Sequence, residues 1–177
     1  MRRLLLPAIF SLVTMTASVA SGQVTKETVP GINNFSRLET TIACAGATTP
    51  AAVTAVKGMG YKSIINLRQA SEAGADVEGE EAAAKAAGIT YIHLPLNTAS
   101  PDPAVVDRFL VAVTAPANQP VFVHCASANR ASALWMIKRM TVDGWDAERA
   151  GSEAAQLGLT NAALKTFAIE YVAAHKK

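Results

Sequence analysis

The sequence has few of the residues from which metal sites and disulfide-rich scaffolds are built. Its three histidines, His93, His124 and His175, are scattered and do not occur at the paired spacing of metal ligands. It has only two cysteines, Cys44 and Cys125, and a chain of this length seldom depends on a disulfide. We therefore predict that the protein needs no metal and no other cofactor, and we keep a disulfide between Cys44 and Cys125 as an open alternative.

Neither sign of charge is in excess once the first 20 residues are set aside. Those residues contain Arg2 and Arg3 and no acid, so the 16 Lys+Arg of the whole chain fall to 14, which equals the 14 Asp+Glu. A balanced chain lacks the basic surface that binds nucleic acid or an anionic membrane. We predict no nucleic-acid partner, and any affinity for anions must come from a local site.

The N-terminal apolar run is too short to span a membrane. It covers residues 4–13, which is ten residues, whereas a transmembrane helix needs about 20. The run follows two arginines and leads to the small residues Ser18, Val19 and Ala20, a pattern typical of a secretory signal peptide. We expect cleavage after Ala20, which makes the mature protein periplasmic or secreted, with no membrane anchor.

The rest of the chain alternates between strand-like and helix-like segments. Residues 21–36 are polar and mixed and are interpreted as a mobile lead-in, so that residues 37–177 form one domain. Strands are predicted at 38–44, 63–67, 90–96 and 120–124, and helices at 49–59, 71–87, 101–114, 129–142, 147–157 and 160–174. This order predicts an α/β fold with a central, mostly parallel sheet of about four or five strands flanked by helices. Glu78, Glu80 and Glu81 are interpreted as a solvated helix face.

The ends of the predicted strands indicate where a ligand binds. In open α/β sheets, ligands bind beyond the carboxyl ends of the strands. Those ends are Cys44, residues 66–68, residues 96–98 and Cys125, so we expect them to surround one cleft. Arg68 could contribute a positive charge to a substrate there, or it could pair with Glu72 at helical spacing.

The segment after the fourth strand carries the strongest chemical signal. Cys125 follows a hydrophobic strand, a turn of small residues comes next, and Arg130 opens a helix. A helix N-terminus exposes backbone N–H groups and favours anions, and it also stabilises a cysteine thiolate. Arg130 adds a positive charge with a planar fork suited to a phosphate-like group. The sequence predicts an ionised nucleophile at Cys125 beside an anion site, while His124 either orients the loop or is a satisfied core histidine.

This segment resembles the signature of the cysteine-dependent protein phosphatases of the tyrosine and dual-specificity type. The run His-Cys-Ala-Ser-Ala-Asn-Arg-Ala-Ser-Ala-Leu-Trp is most similar to the bacterial phosphatase-like domain named after beta-lactamase-hydrolase-like proteins. The resemblance extends to the segments 64–72, 91–95 and 144–150, within residues 38–173. It implies a phosphatase fold, Cys125 as nucleophile and Arg130 as the phosphate-binding arginine. It also implies substrate contacts from the loop residues Ala126, Ser127, Ala128, Asn129 and Ala131, with His124, Ser132 and Asn97 in supporting positions.

The loop departs from the phosphatase pattern in two ways. Four residues separate Cys125 from Arg130 instead of five, and Ala128 stands where a glycine is usual. The short spacing resembles that of the rhodanese sulfurtransferases, in which a cysteine carries a persulfide. Sulfur transfer through Cys125 therefore stays open as an alternative.

The position of the general acid also departs from the phosphatase pattern. Phosphatases of this type have an aspartate upstream of the nucleophile to protonate the leaving oxygen. The corresponding position is Asn97, which has no titratable proton. Asp102, a few residues further on, is the candidate acid, although a carboxylate at a helix start also serves as a cap.

Together these features predict an exported cysteine-dependent phosphatase that hydrolyses a phosphomonoester through a phosphocysteine, with a small phosphorylated substrate or a phosphoprotein as its partner. Two alternatives remain open. The first is a rhodanese-like sulfurtransferase that uses a Cys125 persulfide. The second is a non-catalytic anion-binding domain in which Cys125 is bonded to Cys44.

Overall fold

The structure is a computed structural model that describes residues 22–39 and 41–175, so the predicted signal peptide lies outside the described residues. Within that part of the chain the strands are β1 Val24–Lys26, β2 Ser36–Leu38, β3 Ile42–Ala45, β4 Ser63–Asn66, β5 Thr90–His93 and β6 Val121–His124. The α-helices are α1 Val53–Gly58, α2 Val77–Ala87, α3 Pro103–Thr114, α4 Asn129–Thr141, α5 Ala147–Leu157 and α6 Ala162–Ala174, with short 3-10 helices at Pro50–Ala52 and Pro116–Asn118. None of the helices in the described ranges is long and apolar enough to cross a membrane.

The strands form one sheet in the order β1-β2-β3-β6-β4-β5. Strands β3, β6, β4 and β5 are parallel, whereas β1 and β2 are antiparallel additions at one edge. The predicted α/β fold with a mostly parallel sheet is confirmed. Because β6 is central, its last residue, His124, lies between Ala45 of β3 and Asn66 of β4. The loop that follows β6 therefore begins at the middle of the sheet edge.

Both faces of the sheet are buried. One face, with Cys44, Ile65 and Val123, packs against apolar residues of α3, α4, α5 and α6. The other face, with Ile64 and Phe122, packs against α1 and α2. Burial of each large apolar side chain contributes roughly 1.5–3 kcal/mol. Helices on both faces explain why the central strands are continuous apolar runs without alternation.

The predicted strand 38–44 is wrong in detail, because the run contains a tight hairpin. Leu38 ends β2 and Ile42 begins β3, with the Thr41 N–H donating to the Leu38 carbonyl at 3.1 Å. Glu39 has a φ of +47°, in a turn that contains neither glycine nor proline. Without those residues the sequence gives no sign of a turn.

The segment interpreted as a mobile lead-in contributes to the sheet. Residues Val24–Lys26 form β1 and pair with β2, and Phe35 is buried in the core beside Phe122. The described part of this segment is therefore one edge of the folded unit. Its strands are only three residues long, too short for their periodicity to be read.

The helix predicted to start at residue 71 starts at Val77. Asp76 caps it by accepting a hydrogen bond from the Gly79 N–H at 2.9 Å, and Gly74 before it has a φ of +71°. Residues 69–75 form turns, in which Glu72 reaches towards two arginines. Glu72 therefore lies before α2, where the Asp76 cap and the positive φ of Gly74 delay the start of the helix.

Candidate active site

Cys125 lies directly after β6, at the middle of the sheet edge. Its backbone N–H donates to the Ala45 carbonyl at 3.1 Å, and its side chain is 1% exposed. Cys125 and Cys44 are both free thiols, so the disulfide considered as an alternative is not formed. Cys125 thus lies at the carboxyl end of a central strand, the position that the strand-end rule predicted.

The loop after Cys125 offers a group of unpaired amides. Among the described residues, no acceptor is hydrogen-bonded to the backbone N–H groups of Ala126, Ser127, Asn129, Arg130 or Ala131. These amides are at the N-terminus of α4, where the helix dipole adds positive potential. The loop therefore has the geometry of an anion cradle.

Ala128 enables this turn at a conformational cost. Its φ is +72° and ψ is −16°, a left-handed conformation that a residue with a Cβ adopts only at a cost of about 1–2 kcal/mol. Glycine has no such cost. Ala128 is fully buried, and packing holds the backbone in this conformation.

Two close approaches hold the loop from opposite sides. A Cβ on Gly46 would lie 3.0 Å from the Ala126 carbonyl oxygen, and a Cβ on Gly158 would lie 3.0 Å from the Cβ of Ala128. On the second side the carboxamide oxygen of Asn129 also accepts hydrogen bonds from the N–H groups of Thr160 and Asn161, both at 2.7 Å. The loop is therefore held firmly before any substrate binds.

Arg130 is buried and oriented by four acceptors. Its Nη1 donates to the Leu67 and Leu96 carbonyls at 2.9 and 2.8 Å and to Oε1 of Glu72 at 2.6 Å. Its Nη2 donates to Oε2 of Glu72 at 2.7 Å. The Nε–H and the second Nη2–H have no oxygen or nitrogen acceptor among the described residues. These two groups form one fork, and the guanidinium that carries it lies close to Cys125.

Glu72 is the acidic member of this cluster, with its side chain 22% exposed. Burial alone would raise its pKa. Hydrogen bonds from Arg130 and from the Gln69 N–H lower it, and so does the charge of Arg130. Together with a weaker hydrogen bond from Arg68 they lower the pKa of Glu72 to about 2. Glu72 is therefore ionised at neutral pH.

Arg68 also binds this turn. Its Nη1 and Nη2 donate to the Gly74 and Ala73 carbonyls at 2.9 and 2.7 Å, and its Nε is 3.4 Å from Oε2 of Glu72. Pairing with Glu72 was one of the two roles considered for Arg68, and this contact is present. The pair lies largely buried in a turn and not on a helix surface. The predicted contact between Arg68 and a substrate stays a prediction, and its guanidinium is already occupied.

His124 is in a buried polar network on the other side of the sheet. Its Nε2 is 3.0 Å from Oε2 of Glu80, without the alignment of a hydrogen bond, and Nδ1 has no partner among the described residues. The same Glu80 oxygen accepts hydrogen bonds from Asn66 at 2.9 Å and from the Tyr91 hydroxyl at 3.3 Å. Glu80 is 1% exposed, so its assignment to a solvated helix face was wrong. Its carboxylate joins residues of β4, β5 and β6.

Ser132, one of the predicted supporting residues, is buried next to Cys44. Burial raises the pKa of the Cys44 thiol well above its ordinary value; the Ser132 hydroxyl opposes this, and the charge of Cys125 adds to it. Ser132 has no oxygen or nitrogen partner among the described residues, which leaves the Cys44 sulfur as its neighbour. Cys44 therefore remains a neutral thiol next to the nucleophile.

Asn97 and Asp102 lie in the exposed segment before α3. Asn97 accepts a hydrogen bond from the Ala99 N–H, and Asp102 caps α3 by accepting one from the Ala104 N–H, both at 2.9 Å. The capping role considered for Asp102 is thus present. Its second carboxylate oxygen has no partner among the described residues and could still donate a proton.

Sequence reasoning missed two acidic residues of the site, Glu72 and Glu80. The spacing between Arg68 and Glu72 indicated their pairing but not that Glu72 reaches Arg130, 58 residues away. Glu80 looks like its exposed neighbours Glu78 and Glu81. Only its position opposite the strand end at His124 distinguishes it.

Comparisons with known proteins agree with this geometry. Residues 34–142, well over half of the chain, match the family described as "Beta-lactamase hydrolase-like protein, phosphatase-like domain". The chain belongs to this family. The resemblance to this family that the sequence indicated is confirmed.

One curated relative is the Beta-lactamase hydrolase-like protein of Xylella fastidiosa (strain Temecula1). It is 37% identical over 89 residues, which is 48% of this chain and 20% of the relative. The matching part is therefore only about a fifth of that relative's length.

Solved structures show the same fold. Pseudomonas aeruginosa TpbA is 22% identical with a TM-score of 0.64, and the match covers 85% of this chain and 89% of TpbA. The core catalytic domain of the PP-IP phosphatase SIW14 from S. cerevisiae is 21% identical with a TM-score of 0.65, covering 81% of this chain and 88% of that domain. At these identities the likeness concerns the fold alone, which is that of the dual-specificity phosphatases.

Proposed function

We propose that this protein hydrolyses a phosphomonoester through a phosphocysteine at Cys125. The observation that carries the proposal is the orientation of Arg130. Glu72 and two carbonyls hold one edge of its guanidinium, and the fork formed by Nε and Nη2 is left for a ligand beside Cys125. A fixed guanidinium fork and a row of amides bind three phosphoryl oxygens without reorganisation during the reaction.

The reaction has two steps. In the first, the Cys125 thiolate forms a bond to phosphorus while the bond from phosphorus to the ester oxygen breaks, and the departing oxygen takes a proton from a general acid. In the second, water attacks the phosphocysteine and gives a proton back to the deprotonated acid, the bond from phosphorus to sulfur breaks, and inorganic phosphate leaves with the thiolate restored. Arg130 and the loop amides stabilise the charge on the equatorial oxygens in both steps.

We assign the general acid to Asp102. Its Oδ1 serves as the helix cap, and its Oδ2 makes no hydrogen bond to another described residue. Asparagine can cap a helix as well as aspartate but cannot donate a titratable proton. Asp102→Asn is therefore expected to keep the fold. It should flatten the limb of the kcat pH profile on which activity falls as the general acid loses its proton, and an unchanged profile would exclude Asp102 as that acid.

The decisive experiment compares two chemistries on the mature protein, residues 21–177. Phosphate release from an aryl phosphate is measured beside thiocyanate formation from thiosulfate and cyanide, with Cys125→Ser as the test variant and Cys44→Ser as the matched control. We expect phosphate release that Cys125→Ser abolishes and Cys44→Ser retains. Thiocyanate formation dependent on Cys125, without phosphate release, would replace this proposal with sulfur transfer.

The natural substrate is a phosphorylated molecule outside the cytoplasm. A Cys-to-Ser variant of TpbA is known in complex with pTyr, which supports a phosphomonoester as the substrate class here. Export rests on the signal pattern of residues 1–20. Mass spectrometry of the periplasmic fraction should find a chain that begins at Ser21, and absence of the protein from that fraction would contradict export.

A further inference from the structure

A polar groove of about 800 Å³ runs beside the nucleophile loop. Residues 26–28 and 32–36 of the β1–β2 edge line one side, and Gly158 and Thr160 after α5 line the other. Ser127 and Asn129 of the loop form part of its floor, two and four residues beyond Cys125. A group attached to a phosphate in the loop can therefore extend into this groove.

The groove offers hydrogen-bonding groups beside a similar area of apolar surface. Its exposed side chains include those of Thr28, Asn33, Asn34, Ser127 and Thr160. The two large apolar residues of its lining, Ile32 and Phe35, are 6% and 2% exposed, so they present no ring or aliphatic face to a ligand. Neutral amides and hydroxyls are the groups that pair with the hydroxyls of a polyol.

Much of this hydrogen-bonding capacity is uncommitted. The side chain of Asn33 makes no hydrogen bond within the described part of the chain, and that of Asn34 makes only a long one, 3.5 Å to the Ser127 carbonyl. By contrast, the Asn129 carboxamide is already used to hold Thr160 and Asn161. Ligand contacts are therefore expected mainly on the side formed by residues 32–36.

The groove also contains one free positive charge among the described residues. Glu27 is neutralised by Arg37 at 2.7 Å, whereas Lys26 is exposed and has no ion pair in that part of the chain. A second anionic group on the ligand would find its counter-charge at Lys26.

We propose that this groove binds the leaving group of the substrate, and that this group is a sugar or another polyol whose second anionic group, where present, faces Lys26. The proposal rests on the proposed phosphatase function and specifies its substrate class. An aromatic ring or an acyl chain would leave the uncommitted amides of Asn33 and Asn34 without partners on binding.

Steady-state kinetics on four substrates tests the proposal: an aryl phosphate, a phosphotyrosine peptide, glucose 6-phosphate and a hexose 1,6-bisphosphate. The variants are Asn33→Ala and Lys26→Gln, with Lys62→Gln as the matched control, since Lys62 is exposed and outside the groove. We expect Asn33→Ala to raise KM for both sugar phosphates about 3- to 10-fold and to leave the aryl phosphate within about 2-fold. Lys26→Gln should raise KM by a similar factor only for the bisphosphate.

The outcomes separate the two proposals. Aryl phosphate turnover with no effect of either variant on sugar phosphates would overturn the groove assignment and leave the phosphatase function intact. Preferred turnover of the phosphopeptide, sensitive to Asn33→Ala, would replace the polyol with a peptide. If no substrate releases phosphate, the phosphatase proposal fails. In that case, calorimetry measures how the hexose bisphosphate binds to Cys125→Ser and to the double variant that also carries Lys26→Gln. Equal binding to both proteins, or no binding to either, would contradict the assignment of the groove.

Discussion

Arg130 and Glu72 face each other end to end, with Nη1–Oε1 and Nη2–Oε2 distances of 2.6 and 2.7 Å. A carboxylate that engages both terminal nitrogens of a guanidinium fixes its plane as well as its position. The remaining fork is consequently presented at one angle to the nucleophile loop. This pair is the reason that the arginine is in place before a ligand arrives.

Replacing Arg130 by lysine should therefore abolish most activity although the charge is retained. An ammonium group cannot bind Glu72 and a phosphate with two separate forks. We expect kcat/KM for an aryl phosphate to fall about 100- to 1,000-fold, the usual effect of losing one preorganised donor.

The matched control is Arg139→Lys, because Arg139 makes a two-point contact with Glu153 at 2.7 and 3.0 Å without contacting the loop. This control should stay within about 3-fold of the unaltered protein, since transition-state stabilisation is not affected there. A similar loss in both variants would mean that Arg130 acts through stability.

The charge of Glu72 makes stability depend on pH in a defined window. Its pKa is lowered from 4.5 to about 2 in the folded protein, so its stabilising effect is complete above about pH 4.5 and is lost as the pH falls towards 2. Glu72→Gln should be destabilised by about 1–3 kcal/mol near neutral pH.

Urea denaturation at a series of pH values measures this difference. The gap in the free energy of unfolding between Glu72→Gln and the unaltered protein should narrow as the pH decreases from about 4.5 to 2. A gap that stays constant through this window would show that the carboxylate is not held by Arg130.

Glu80 should be more important for stability than its neighbours in α2. Its removal in Glu80→Ala leaves the Tyr91 hydroxyl and one N–H of the Asn66 amide without their buried acceptor, at an expected cost of about 2–4 kcal/mol. Glu80→Gln retains an oxygen acceptor and should lose less. Thermal denaturation measures both changes, with the exposed Glu81→Ala as the control; equal midpoints for all three variants would show that the network is not stabilising.

The loop conformation predicts a small effect on stability for Ala128→Gly and a larger loss for Gly158→Ala. Ala128→Gly removes the conformational cost of a φ of +72° and should alter stability by no more than about 1 kcal/mol. Gly158→Ala introduces a Cβ at a φ of +119° and 3.0 Å from the Cβ of Ala128. It should cost about 1–3 kcal/mol and lower kcat by displacing the loop.

Chemical denaturation and aryl phosphate assays distinguish these results. A Gly158→Ala protein with full stability and activity would mean that the contact between α5 and the loop is not rigid. A large loss of activity in Ala128→Gly would instead show that the side chain of Ala128 itself is needed in the loop.

The sequence predicted the elements whose signal is local. Helices α3, α4, α5 and α6 were each placed within about two residues, because apolar periodicity and capping residues mark them. Cys125 and Arg130 were recognised because a buried strand, a turn of small residues and a helix follow one another without interruption. Both the helices and the nucleophile loop are indicated by residues that are consecutive in the sequence.

Features that depend on distant partners could not be predicted. Glu72 leaves the predicted helix because Arg130, far along the chain, binds it. Glu80 is buried because His124 ends the strand opposite to it. In both cases the partner residue lies far along the chain, and the local pattern gives no sign of it.

The edge strand β1 has a practical consequence for anyone who shortens this protein. A chain trimmed to residue 37, the domain start that the sequence recommends, would lose β1, Phe35 and the groove wall formed by residues 26–28 and 32–36. Such a trimmed chain could still release phosphate from a small aryl ester, but it would no longer discriminate among natural substrates through the groove. Substrate screens should therefore use a chain that begins no later than Ser21.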